Sequence, residues 1–189
     1  MVKTHYIPET IAYTGKQLSA LWAYMNFNVQ GDSIVAFCGP CEIPLDHMVD
    51  AADVKERSRI ASRRMLHFIV EHFDLDLEKA VLRQRLLASI VRDVLVERRP
   101  KANIRREGDD LYEGQRKLSI SIATLSPVSS LMHFGINIIS AGAPVPAKGL
   151  ADYRIDPRRF AEEVLRRYAK EMNSVRDATT KVRGANLEG

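Results

Sequence analysis

The chain is expected to fold as α+β, with a mixed, mainly antiparallel sheet flanked by helices. Three observations predict this: apolar residues recur at helical spacing early, in the middle and at the end; the region after Pro100 consists of short β-prone runs; and strands come in series rather than alternating strictly with helices. A chain of 189 residues can bury one substantial core and is short for two, so a single domain over 1–189 is expected. Hydrophobic residues at 46% and charged residues at 28% exclude disordered, collagen-like and disulfide-scaffold classes.

The elements follow in order. Gln17–Asn26 carries Leu18, Leu21, Trp22 and Met25 at helical spacing, and Ser33–Phe37 reads as a strand, so a helix followed by a strand opens the fold. Gln30-Gly31-Asp32-Ser33 is a turn entering that strand. Met65–Phe73 alternates like a strand, with a helix open for the preceding Val54–Arg64. Leu77–Val96 follows a helical period closed by Pro100. Asn103–Arg106, Asp110–Tyr112, Lys117–Thr124 and Ser130–Ile139 form a β-meander separated by turn signals. Asp156 followed by Pro157 pairs an N-cap acceptor with a proline preset for the first helical position. A long final helix then carries Phe160, Val164, Leu165, Tyr168, Met172 and Val175 on one stripe.

No segment offers the roughly 20 apolar residues of a membrane span. No apolar stretch follows the first lysine either, so the plan of a secretory signal is absent and the cytoplasm is the expected location. Net charge is +4, but residues 55–108 hold 14 Lys/Arg against 8 Asp/Glu. Such a segment either attracts RNA or a phosphate-bearing ligand, or is a solvated helical surface.

The richest stretch chemically is Gly108-Asp109-Asp110-Leu111-Tyr112 through Lys117-Leu118-Ser119, which sets two carboxylates and a lysine on neighbouring strands across one turn. Lysine can hold a phosphate or a developing oxyanion, and a carboxylate can hold Mg²⁺ or a ligand donor; alternatively these charges only solvate the hairpin. His133 lies in an apolar strand, as a base beside Lys117 or as a packing residue. His67 and His72 read as structural.

Cys38-Gly39-Pro40-Cys41 has the thioredoxin tetrapeptide, but Pro44 stands where the helix should begin and no later proline precedes Pro100. Three readings stay open. Cys38 and Cys41 bind zinc with His47 as third ligand; Cys41 is a nucleophile; or the thiols are small buried groups in a tight turn. Asp50 and Asp53 either present carboxylates near this turn or cap the next helix.

Asp109-Asp110-Leu111-Tyr112 with Lys117-Leu118-Ser119 resembles the Asn-Asp-(Leu/Ile)-Tyr and Lys-Leu-(Ala/Ser) segment of biotin protein ligases, and Gly135-Ile136-Asn137-Ile138 resembles their Gly-Ile-Asn-Val strand. Lys117, His133 and Asn137 are also similar to the lysine and His-Gly-x-x-x-Asn pattern of lipoate/octanoyl transferases. Gln30–Phe37, Gln84–Leu87, Gly108–Tyr112 and Lys117–Thr124 resemble the uncharacterised prokaryotic domain of unknown function numbered 366.

These resemblances imply the biotin/lipoate ligase and class II synthetase fold. They also imply a diverged acyl-transfer or ligase-type enzyme, or else a non-catalytic ligand- or RNA-binding protein on that fold. The roles implied are Lys117, Asp110 and His133 as catalytic groups, with Asp109, Arg105, Arg106, Gly135 and Asn137 binding the ligand. The cofactor implied is ATP with Mg²⁺, or an acyl-adenylate, beside a small-molecule ligand. The chain lacks both the arginine-glycine loop of biotin ligases and the Arg-Arg-x-Ser-Gly-Gly-Gly loop of lipoate ligases, and no cysteine lies between Ile138 and Leu150. An exposed strand edge leaves room for a homodimer.

Overall fold

A computed structural model describes residues 1–57, 60–141 and 143–184. Eight strands and four helices run in the order β1 (Lys3–Thr10), α1 (Trp22–Phe27), β2 (Ser33–Ile43), α2 (Ala51–Glu56), β3 (Ile60–His72), α3 (Leu77–Arg98), β4 (Ile104–Glu107), β5 (Asp110–Glu113), β6 (Arg116–Lys117), β7 (Ser119–Leu125), β8 (Ser130–Ile139) and α4 (Pro157–Thr179). The main sheet has the order β1-β2-β3-β8-β7; β1 and β2 are parallel and every other pair is antiparallel. A second sheet, β4-β5-β6, is antiparallel throughout. The α+β class with a mixed, mainly antiparallel sheet is therefore present. No helix among the described residues is long and apolar enough to cross a membrane.

Strand alternation sends one set of side chains to each face of the main sheet. On one face Ile34, Ala36, Leu66, Phe68, Phe134 and Ile136 meet Leu87, Val91 and Leu95 of α3 and Phe160, Val164 and Tyr168 of α4. The side-chain carboxylates of Asp76 and Asp156 accept from the backbone N–H groups of Lys79 and Arg159 at 2.9 and 2.8 Å, which starts both long helices. The other face carries Val35, Phe37, Cys41, Met65 and Ile69 and is covered by the segment that holds Tyr13, Trp22 and Ala23. The candidate site forms on this second face.

Five expectations change. A strand, β1, precedes the first helix, and α1 starts at Trp22 rather than Gln17. Leu21 sits at φ 63° with its N–H held by the Glu71 carboxylate at 2.9 Å, which blocks extension of the helix upstream. The Val54–Arg64 expectation resolves into the C-terminal half of α2 and the start of β3, with residues 58 and 59 outside the described set. The expected strand Lys117–Thr124 divides at Leu118, where the chain changes partner from β5 to β8. Cys38-Gly39-Pro40-Cys41 is not a turn after a strand but lies inside β2, at an irregularity in its pairing with β3.

Candidate functional site

A cavity of about 430 Å³ opens on the second face of the sheet. Its floor comes from β3, β7 and β8, its rim from the 44–53 segment and its far wall from residues 143–147. Tyr13, Ile43, Ile60, Met65, Ile120, Ile122 and Val145 make much of the lining apolar, while Asp109, Asp110, Lys117, His133 and Asn137 supply polar groups. An apolar cavity with a few convergent polar groups is the usual form of a small-molecule site.

Lys117 Nζ lies 2.6 Å from Asp110 Oδ2, both side chains being half-buried. Their strands place them there, because Tyr112 on β5 is directly opposite Lys117 on β6 and Asp110 lies two residues from Tyr112 on the same face. Burial opposes the Lys117 charge, but the hydrogen bond and charge of Asp110 outweigh it and raise the ammonium pKa. Burial also raises the Asp110 carboxyl, an effect that Lys117 offsets in part. The second oxygen, Asp110 Oδ1, is buried without a hydrogen-bond partner.

Asp109 Oδ2 accepts from Gln84 Nε2 and from Ser121 Oγ, both at 2.9 Å, which ties the hairpin to α3 and β7. The two carboxylates are thus committed to different partners, one of them a lysine ammonium, and the pair does not suit Mg²⁺ as the residue types had suggested. Asn137 is buried and donates through Nδ2 to the carbonyls of Lys117 and Lys148 at 3.5 and 3.3 Å, while its Oδ1 accepts from Ser62 Oγ at 3.3 Å. It clamps the backbone that presents Lys117.

His133 is fully buried at the cavity floor, its ring stacked on Tyr13 with centroids 3.8 Å apart. Its Nε2 lies 3.0 Å from Nδ1 of His67, whose Nε2 lies 3.3 Å from the Gly39 carbonyl. Burial pushes His67 down to about 4 and, with His67 beside it, His133 well below the ordinary histidine value. Gly135 stands opposite His67 in the register, and a Cβ there would press on Met65 and His133; its bareness lets the two rings meet. His67, read as structural, and Tyr13, not singled out, are the residues that sequence reasoning missed.

Other expected residues lie elsewhere. Arg105 stacks on Tyr112 and bonds Glu107 and the Gly114 carbonyl, and Arg106 bonds the Gly108 carbonyl. Both are exposed on β4, and neither lines the cavity. Cys38 packs towards the helices beside Tyr6 Oη, whereas Cys41 is buried on the opposite face. Thiols on opposite faces of a strand cannot chelate one zinc ion, and His47 instead bonds the Thr14 carbonyl at 3.0 Å. Among the described residues no group of three or more His, Cys, Asp or Glu is arranged to hold a metal. Burial raises both thiols, Cys41 to about 12, which disfavours the thiolate a nucleophile needs. Asp50 caps α2, its side chain accepting from Ala52 N at 2.7 Å, and it lines the cavity with Asp53, away from the cysteines. Asp32 lies away from the cavity, against His72.

The comparisons agree with this architecture. "Uncharacterized protein MJ0805" of Methanocaldococcus jannaschii is 40% identical over 177 residues, 90% of this chain and 79% of its own length. A solved "Protein of Unknown Function" from Pyrococcus horikoshi superposes with a TM-score of 0.93 at 37% identity, covering 98% of this chain and all of its own. The apo biotin protein ligase of Aquifex aeolicus superposes with a TM-score of 0.61 at 17% identity, covering 94% of this chain and 72% of the ligase. At that identity the likeness shows the fold, which is the biotin protein ligase fold anticipated from the Asp109–Ser119 and Gly135–Ile138 segments. The model of the family described as "Domain of unknown function (DUF366)" matches residues 2–183, and the chain belongs to that family.

Proposed function

We propose that the cavity binds a small carboxylic acid, or its acyl-adenylate, with an apolar body, and that the protein is a diverged ligase or acyl-transfer enzyme. The observation that carries this reading is the placement of Lys117 Nζ, braced by Asp110 at 2.6 Å, in the wall of a cavity that also presents an apolar surface. The ion pair orients the ammonium and leaves it N–H groups for a ligand oxygen, while Asn137 fixes the backbone on either side of the cavity wall. Ile43, Ile60, Ile120 and Ile122 suit an aliphatic or ring body. Neither cysteine lines the cavity, so among the described residues no thiol stands ready to carry an acyl group. In this reading the acceptor arrives as a second substrate.

A thermal-shift screen tests the proposal. Wild-type and Lys117→Ala proteins are exposed to ATP with Mg²⁺, to biotin, lipoate and octanoate, and to the corresponding adenylates, since a ligand selective for the folded state raises its apparent stability. At least one acid or adenylate should shift the wild type, and the variant should bind it roughly 10- to 100-fold more weakly, the value of a hydrogen bond to a charged group. An equal shift in both proteins would remove Lys117 from the site.

A further inference from the structure

The two buried histidines fix each other's protons. A carbonyl oxygen only accepts, so at 3.3 Å from Gly39 O the Nε2 of His67 must carry the hydrogen. In a neutral ring the other nitrogen then accepts, so the Nε2 of His133, 3.0 Å from His67 Nδ1, is the donor in that bond. By the same rule Nδ1 of neutral His133 carries a lone pair. His133 is 1% exposed, lines the cavity and makes no other hydrogen bond among the described residues. The depressed basicity of both rings agrees with the neutral state.

A second acceptor lacks a partner on the same cavity wall. Asp110 Oδ1 is buried without a hydrogen bond, although Oδ2 of the same carboxylate is held by Lys117. Buried polar atoms left unpaired are uncommon and cost free energy, but this oxygen is closed off from the open space, so the His133 acceptor is the one that indicates what the cavity's occupant brings. A free metal cation is a poor candidate beside the Lys117 ammonium. An uncharged N–H or O–H donor satisfies an imidazole nitrogen.

We infer that the ligand of this cavity carries an uncharged hydrogen-bond donor, hydroxyl or amide, on its body, read by His133 Nδ1, with His67 as the positioning residue that holds His133 in its accepting tautomer. This deepens, and rests on, the small-acid reading of the same cavity. It narrows the ligand class, because a plain alkanoate would leave the His133 acceptor unpaired. A site built around hydrogen-bonding groups rejects analogues that lack them far more strongly than an apolar pocket rejects one methylene.

Two measurements test the inference. The first is ¹⁵N NMR of the wild-type imidazoles without ligand, which reads the tautomer directly. His133 is expected with Nε2 protonated and Nδ1 unprotonated, unchanged in His67→Asn, whose side-chain oxygen can still accept, and shifted towards the other tautomer in His67→Phe. A protonated Nδ1 on His133 in the wild type overturns the inference.

The second is titration of the wild type, His67→Asn and His67→Phe with straight-chain acids of six to ten carbons and their hydroxy and carboxamide counterparts of equal length. The best donor-bearing acid should bind the wild type at least about tenfold more tightly than the plain acid. That preference should survive in His67→Asn and weaken in His67→Phe. Acids that bind with no such preference overturn the donor requirement alone. If no acid of either kind binds, the small-acid reading falls and the donor requirement falls with it.

Discussion

Lys117 and Asp110 form an ion pair whose two ends have different partners available: the ammonium retains free N–H groups, and the carboxylate retains one unpaired oxygen. Both residues and Asn137 were legible in the sequence, because the Asp109–Ser119 hairpin and the Gly135–Ile138 strand carry them at fixed spacing. His67 was not, since its partner is 66 residues away and only the β3–β8 register brings the rings together. Arg105 and Arg106, ligand-binding groups by resemblance, lie outside the cavity, where local carboxylate and carbonyl groups hold both.

The histidine pair has a consequence for stability. A folded-state pKa depressed to about 4 for His67, against roughly 6.5 in the unfolded chain, means that the unfolded state takes up the proton first as pH falls. The contribution of neutral His67 is complete above about pH 7 and is lost progressively towards pH 4. Denaturant unfolding should show about 2 kcal/mol less stability at pH 5 than at pH 7 from this residue alone, a slope reduced in His67→Gln. An unchanged slope in that variant would locate the proton uptake elsewhere.

At the scale of elements, most strands and both long helices follow local pattern, and the departures occur where tertiary contacts override it. β1 is nearly silent in the sequence because it is an edge strand with one buried residue, Ile7, and a proline at position 8. Cys38-Gly39-Pro40-Cys41 has the composition of a turn but runs as strand because the chain after β1 lies across it. Ile11 N donates to Cys38 O at 3.0 Å, Tyr13 N to Pro40 O at 2.9 Å, and Glu42 N to Tyr13 O at 3.0 Å. Gly39 permits that approach, since a Cβ would overlap the Ile11 carbonyl. Gly39→Ala should therefore cost about 3 kcal/mol or more in chemical denaturation and loosen Tyr13 from the cavity. Wild-type stability in this variant would show that the crossing segment is not tightly docked.

Across the whole molecule, one face of the sheet is committed to α3 and α4 and the other to the cavity, so the fold separates its main stabilising core from its binding surface. Part of the basic excess of the middle third serves the former role: Arg92 and Arg99 hold backbone carbonyls, and Arg83 pairs with Asp74. Membership of the family and the likeness to a biotin protein ligase agree with the architecture, while the ligand must be identified from the cavity itself. The most direct test is a calorimetric comparison of the acid that gives the largest thermal shift with its uncharged primary amide, in the wild type and in Lys117→Ala. The account predicts that the wild type favours the acid by roughly tenfold or more and that the variant does not discriminate. Equal affinity of the wild type for acid and amide would contradict the assignment of Lys117 as the residue that holds the ligand's negative charge.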